Sequence, residues 1–402
     1  MALNVKVGFI GKFDMLKFKN MAKTREKAIQ DAPAKEVKGS FPINENAKKL
    51  HPDCQRLVVD EIIDHKSAGA KTFVFRRADG EPFPYFRAGQ YLSLKLPIDG
   101  SFVTRSYSLC SSPKDALKGK AAITVRSNPG GFVADRLLAE LKVGDELTAS
   151  DPQGFFYYED LRDADTVIGL AGGSGITPFY SMAAAIADGI EDFDLTILYG
   201  SRTAGGILLK DEIEAVAARS KGRVKVVHVL SHEKNEGFEH GFITAELIRK
   251  YAPQGDYSVF MCGPKAMYSF EEGEMKKLGL PKRRYRMEMS GDYLGAAENA
   301  DFPAGKKGKE FTLTVDIRGE KQTVPCKAEE SLLWAMERAG IKAPSHCRSG
   351  ECGWCHSRLV SGDVYIPEDA DGRRLADKKF GWIHPCCSFP LSDVELAVYP
   401  TE

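Results

Sequence analysis

Hydrophobic and polar positions change rhythm twice along the chain. Between residues 51 and 158 the apolar positions fall in short β-branched runs at 57–63, 72–76, 90–96, 122–126 and 146–149, separated by Gly, Pro, Asp and Ser. Regularly spaced short strands of this kind predict a small antiparallel β-barrel. From 159 to 300 the runs at 166–171, 195–199, 224–230 and 258–261 are almost wholly apolar, and helical stretches at 178–187, 210–219 and 244–251 lie between them. Strands without a polar face must be covered on both sides, which predicts an α/β domain with a parallel sheet. Residues 301–309 read as a linker. A third, α+β domain is expected over 310–402, with strands at 311–317 and 322–325 and a helix at 331–339.

Residues 1–50 stand apart, with eleven Lys/Arg against five Asp/Glu and apolar residues at Val5, Val7, Phe9, Ile10, Phe13, Leu16, Phe18 and Met21. An extension laid on the body, or a basic arm docking an acidic partner or membrane surface, are the two readings of this segment. The whole chain balances 56 Lys/Arg against 56 Asp/Glu, which gives no reason to expect nucleic-acid binding. No apolar run reaches the roughly 18–20 residues that span a bilayer. Lys6, Lys12, Asp14, Lys17 and Lys19 interrupt any secretory core, so a cytoplasmic protein is expected.

Five of the nine cysteines crowd the C-terminal end: Cys347, Cys352, Cys355, Cys386 and Cys387. In a reducing compartment such crowding argues for a metal site rather than disulfides. The first three form C-x4-C-x2-C and a fourth follows about 30 residues later, the plant-type spacing for a [2Fe–2S] cluster. Structural zinc pairs cysteines in two close C-x2–4-C units, and this spacing is asymmetric. Spacing leaves the fourth ligand open between Cys386 and Cys387.

Two further segments carry chemistry. Arg105-Ser106-Tyr107-Ser108 follows Phe86-Arg87-Ala88-Gly89-Gln90-Tyr91 and is placed between two barrel strands, and Gly130-Gly131-Phe132-Val133 opens a helix whose bare amides suit an anion. Gly172-Gly173-Ser174-Gly175-Ile176-Thr177-Pro178 links a buried strand to a helix, the arrangement that seats phosphate on a helix N-terminus. Cys262-Gly263-Pro264 ends another buried strand. Together these motifs resemble the ferredoxin–NADP reductase superfamily, and the cysteine segment resembles the ferredoxin domains fused to such flavin reductases. The likeness covers residues 51–402; Ala88 departs from it, standing where proline is common.

The resemblance implies three domains: an antiparallel β-barrel for the flavin, an α/β domain for the nicotinamide and a β-grasp ferredoxin domain. Arg105 would then meet a flavin phosphate, with Ser106 beside it. Tyr107 would cover the isoalloxazine, and Ser108 would bond near its N5. Gly130, Gly131, Phe132 and Val133 would receive a pyrophosphate, which favours FAD over FMN. Gly173 to Pro178 would hold the nicotinamide dinucleotide, with Cys262, Gly263 and Pro264 beside the ring and Glu288 supplying a carboxylate near the flavin. Cys347, Cys352, Cys355 and Cys386 would be the cluster ligands, because the family's fourth cysteine lies four residues before a proline, here Pro390. Ser201 and Arg202 follow the second parallel strand where an acidic residue would hold a ribose hydroxyl, and NADH and NADPH both remain open.

No nucleophile arrangement surrounds His228, His232, His240 or His384, and Lys282-Arg283-Arg284 reads as a solvated face. The order of domains implies a path from NAD(P)H through FAD to [2Fe–2S] and on to a separate one-electron acceptor protein, such as an oxygenase component. The mild acidity of 310–402, fifteen Asp/Glu against eleven Lys/Arg, would steer it to a basic partner. The alternatives are an electron-transfer subunit of a stable complex in an aerobic or anaerobic system, which would elute with its neighbours, and a non-catalytic redox sensor, which would not reduce a dye.

Overall fold

The computed structural model describes residues 23–24, 27–28, 31, 41–52, 54–98, 100–127, 132–288 and 291–399. The chain divides into two units, residues 1–47 and 48–402. Residues Pro42–Leu50 form a helix. The apolar positions from Val5 to Met21, and Gly130 and Gly131, lie outside the described residues.

The second unit opens with six antiparallel strands: β1 Gln55–His65, β2 Ala70–Arg77, β3 Tyr91–Ile98, β4 Ser101–Ser108, β5 Ala121–Arg126 and β6 Glu146–Ala149. Their order is β4-β3-β6-β1-β2-β5, and a bridge between Leu109 and Ile123 joins the two edges, closing the barrel. Alternate side chains, among them Leu57, Phe73, Phe75, Leu92, Leu94 and Ile123, fill the interior. One expectation is corrected here. Arg105-Ser106-Tyr107-Ser108 is not a connection between strands but the second half of β4, paired with 91–94 of β3. Its polar residues are tolerated in a strand because β4 lies at the end of the ladder and its partly exposed face is free for other contacts.

Six further strands form the second sheet: β7 Thr166–Gly172, β8 Asp194–Ser201, β9 Val224–Leu230, β10 Glu239–His240, β11 Ser258–Cys262 and β12 Tyr285–Met287, in the order β10-β9-β8-β7-β11-β12. All neighbours are parallel. Val167, Leu195 and Ile197 face the helix Ile176–Ala187 while Ile168, Leu170, Leu198 and Val259 fill the opposite face. The strand order reverses between β7 and β11, and ligands of open parallel sheets bind at such a reversal, beyond the carboxyl ends of the strands. Both glycine motifs of this domain sit there. The helix Lys265–Leu278, absent from the expectation, follows β11 directly.

The last sheet comprises β13 Glu310–Ile317, β14 Glu320–Lys327, β15 Ser357–Ser361, β17 Trp382–Ile383 and β19 Val394–Val398, with β16 Val364–Tyr365 and β18 Phe389–Pro390 as a separate pair. The helix Leu332–Arg338, capped by the Ser331 hydroxyl on the Trp334 amide, covers it. Within the expected linker 301–309, Phe302 is buried edge-on against Tyr365 at 5.1 Å. Lys282 and Arg283 are exposed as read, whereas Arg284 donates to Asp256 at 3.0 Å and to the Arg162 carbonyl at 2.5 Å.

Candidate redox site

The cysteine loop is shaped by its backbone. Gly350 has φ +82, and a Cβ there would stand 2.1 Å from the Ala370 carbonyl oxygen, so only glycine fits. Arg348 also takes a left-handed conformation, φ 63, although it carries a side chain. The resulting curl turns amides toward sulfur: Cys352 N–H and Ser349 N–H donate to Cys347 Sγ at 3.3 and 3.5 Å, and Gly350 N–H donates to Cys386 Sγ at 3.3 Å. Hydrogen bonds from the Cys352 and Cys386 thiols, helped by these amides, hold Cys347 well below the usual thiol range. Cys355 Sγ lies 3.4 Å from Cys386 Sγ, whereas Cys387 Sγ turns to the His384 carbonyl at 3.5 Å.

Among the described residues no three His, Cys, Asp or Glu side chains gather round one point as a single ion requires. The thiols instead run as a string, Cys352 to Cys347 to Cys386 to Cys355. That donor set suits two irons shared between four thiolates.

Ser108, Cys262 and Glu288 come from a barrel strand, a parallel strand and the segment just after β12, and they meet. The Ser108 hydroxyl lies 3.1 Å from both carboxylate oxygens of Glu288, and Cys262 Sγ donates to Glu288 Oε2 at 3.1 Å. Burial pushes the Glu288 carboxyl up to about 7, against the pull of those two hydrogen bonds. Burial and the Glu288 carboxylate together push the Cys262 thiol well above its ordinary range. The glycine turn after β7 presses on the same place: a Cβ on Gly175 would lie 2.1 Å from the Cys262 carbonyl oxygen. Burial, with the charges of Cys347, Cys352, Glu351 and Glu288 added, pushes the Tyr91 hydroxyl on β3 well above its ordinary range.

A string of charges ties the loop to the barrel. Arg105 pairs with Asp292 at 3.0 Å, Asp292 pairs with Arg348 at 2.5 Å, and the wholly buried Arg348 pairs with Glu337 on the helix Leu332–Arg338 at 2.5 Å. Gly291 N–H also donates to the Cys347 carbonyl at 2.9 Å.

Other polar groups are left without partners inside the protein. The buried hydroxyls of Ser106 and Ser345 and both ring nitrogens of His346 find no hydrogen bond. Buried polar atoms are otherwise almost always satisfied, so each of these positions is open to a polar partner that the chain itself does not supply. Burial lowers the His346 imidazole to about 4, which keeps it a neutral ring.

Three family models match in sequence: an oxidoreductase FAD-binding domain over 61–158, an oxidoreductase NAD-binding domain over 170–272 and a 2Fe-2S iron-sulfur cluster binding domain over 315–391. The ferredoxin reductase component of 3-ketosteroid-9-alpha-monooxygenase from Mycobacterium tuberculosis is 32% identical over 381 residues, covering 90% of this chain and 99% of that protein. The chain belongs to this family of flavin and iron–sulfur reductases. The glycine betaine monooxygenase reductase subunit of Chromohalobacter salexigens is 30% identical over 341 residues, covering 81% of this chain and 90% of its own. Phthalate dioxygenase reductase shares the fold, with a TM-score of 0.61 at 24% identity, covering 90% of this chain and all (100%) of that one. The chain is therefore an NAD(P)H oxidoreductase with FAD-, NAD- and [2Fe–2S]-binding domains.

The remaining expected site residues fall as follows. Tyr107 packs on the barrel core, its hydroxyl pushed up to about 12 by burial. The Val133 side chain is inside that core, which leaves only its amide for a ligand. Gly173 and Ser174 form the turn, with the Thr177 hydroxyl on the Ser174 carbonyl at 3.1 Å, while Ile176 and Pro178 are buried. Gly263 N–H donates to Tyr268 Oη at 3.1 Å, and Pro264 starts the following helix. Ser201 ends β8 and Arg202 is exposed beside it. Sequence reasoning missed Tyr91, Asp292, Glu337, His346, Arg348 and Glu351. Arg348 and Glu351 lay within the C-x4-C spacing and were visible there as charges in an otherwise small-residue loop; Asp292 carried no signal.

Proposed function

We propose that this chain takes a hydride from NAD(P)H and delivers single electrons to a separate protein, an oxygenase component of the kind its relatives serve. The observation that carries this reading is the meeting of Ser108, Cys262 and Glu288, with the cysteine loop held three residues further on by Gly291 N–H on the Cys347 carbonyl and by the Arg105–Asp292–Arg348 bridge. When bound, the flavin supplies the exchange between paired and single electrons that neither a nicotinamide nor an iron–sulfur cluster performs alone.

The chain's own residues divide the work. Arg105 offers a charged fork to the flavin phosphate while Asp292 holds its other edge. The Ser106 hydroxyl, otherwise unpartnered, bonds the same cofactor. Tyr107 covers the ring. Ser108 and Glu288 keep a proton at the Ser108 Oγ near the flavin, and Cys262 borders the nicotinamide with Gly263 and Pro264. The flavin pyrophosphate is assigned to the segment Gly130, Gly131, Phe132 and Val133. The turn Gly173, Ser174, Gly175, followed by Ile176, Thr177 and Pro178, receives the dinucleotide phosphates. Ser201 and Arg202 border its adenosine end. Cys347, Cys352, Cys355 and Cys386 hold the cluster.

None of the nine cysteines is in a disulfide, which fits a reducing, cytoplasmic setting. We assign the basic segment 1–50 to docking on an acidic partner or membrane surface, on its excess of Lys and Arg. Steady NAD(P)H-dependent reduction of ferricyanide by the purified yellow-brown protein tests the proposal; a protein that binds FAD and iron but leaves ferricyanide oxidised contradicts it.

A further inference from the structure

An electron carrier needs an exit as well as an entrance. The entrance lies on the Cys347 side of the cysteine loop, where Gly291 N–H meets the Cys347 carbonyl at 2.9 Å and Asp292 ties Arg348 to Arg105. On the other side, His356 directly follows Cys355. Its ring stacks on Trp382 at 4.3 Å with only 8° between planes, and Trp382 lies 5.6 Å from the Tyr399 ring. Tyr399 is 56% exposed, so an unbroken aromatic series leads from a cluster ligand to the surface.

The surface it reaches is built for contact. The helix Leu375–Phe380 precedes β17 and exposes Leu375 at 87% and Phe380 at 62%. Both side chains are apolar surface open to contact. The charges around them are not balanced. Asp371 is consumed by Arg373 at 2.8 Å and Lys378 at 2.9 Å, and Asp377 by His356 at 2.9 Å and the Arg374 amide at 3.0 Å. The acidic groups thus turn inward, while exposed Arg374 and Lys379 present positive charge to solvent.

We infer that the face formed by Leu375–Phe380 and Tyr399, rimmed by Arg374 and Lys379, is the docking surface for an acidic one-electron acceptor protein. This refines the charge reading of the domain as a whole: its acidic excess is elsewhere, and the exit face is locally basic. The inference rests on the proposed reductase activity for its meaning but on binding for its test. One electron leaves the chain and one arrives on the acceptor, with no bond made or broken.

Calorimetric titration of the oxidised, fully loaded protein at low salt reads the surface without turnover. The probes are soluble cytochrome b5, an acidic carrier, and cytochrome c, a basic one. The Arg374→Glu/Lys379→Glu variant should weaken cytochrome b5 binding on the order of tenfold and tighten cytochrome c, with both changes fading at high salt. Phe380→Ala should weaken cytochrome b5 at every salt concentration. Absence of cytochrome b5 binding to the unaltered protein, or equal affinity in the double variant, overturns the inference. Ferricyanide reduction, which needs no docking surface, separates the two claims: its absence in the unaltered protein would sink the reductase reading and leave the binding result standing.

Discussion

Asp292 bridges Arg105 of the flavin-domain strand β4 and Arg348 of the cysteine loop, one carboxylate oxygen on each guanidinium. Arg348 is wholly buried and in a left-handed backbone conformation, and Asp292 and Glu337 neutralise it from two sides. The bridge therefore fixes where the iron–sulfur loop lies relative to the flavin strand.

Replacing Asp292 by Asn leaves part of a buried charge uncompensated, at a cost of roughly 2–4 kcal/mol. Thermal unfolding should show that loss. Stopped-flow measurement should show flavin reduction by NAD(P)H at its ordinary rate but slowed electron arrival at the iron–sulfur centre. Equal slowing of both steps would mean that Asp292 has no special place between them.

The Cys352→Ser variant should lose iron and sulfide yet keep NAD(P)H-dependent bleaching of the flavin. One-electron transfer to a protein acceptor should vanish with the cluster. If that transfer survives, the linear path is wrong.

Cys262→Ala should slow hydride transfer on the order of tenfold with little change in flavin content, because the thiol borders the reacting ring without holding the cofactor. Isotope-sensitive stopped-flow rates with deuterated NAD(P)H read this step directly. Rates equal to those of the unaltered protein would remove Cys262 from the site.

Glu288 carries a sign as well as a size. Its carboxyl is raised from an ordinary 4.5 to about 7, so the folded state holds its proton more tightly than the unfolded chain does. Its favourable contribution is complete below about pH 4.5 and is lost as pH rises through about 7. Glu288→Gln should therefore gain melting temperature relative to the unaltered protein as pH goes from 5 to 8. By linkage the difference is worth roughly 3 kcal/mol. A pH-independent difference would show that Glu288 is ionised throughout.

Gly350→Ala should fail to load iron, because the added carbon meets the Ala370 carbonyl oxygen at 2.1 Å on a loop held at positive φ. Iron and sulfide assays on the folded apo-protein check this. Normal loading would show that the loop has room to shift.

How legible this was in the sequence depended on the range of the interaction. The parallel strands were clear because each is a continuous apolar run, and β9 begins at Val224 and ends at Leu230 as read. The cysteine loop was clear because three of its cysteines are local and their spacing matches the plant-type pattern. The strand β4 was missed because Thr104, Arg105, Ser106 and Ser108 break the apolar alternation that marks a strand. The helix Lys265–Leu278 escaped because Glu271 and Glu274 interrupt the apolar residues Met267, Tyr268, Met275 and Leu278 that pack on the core. Phe302 in the supposed linker and Asp292 before it depend on partners at Tyr365, Arg105 and Arg348, and no local pattern announces a contact that distant.

Anaerobic single-turnover mixing with NAD(P)H, followed by flavin absorbance and by electron paramagnetic resonance of the same sample, tests the central claim most directly. The account predicts bleaching of one FAD per chain and then, within the turnover time for ferricyanide, the paramagnetic signal of a singly reduced [2Fe–2S] centre. Flavin that bleaches while the iron stays silent, in a protein shown to carry its full iron and sulfide, would contradict it.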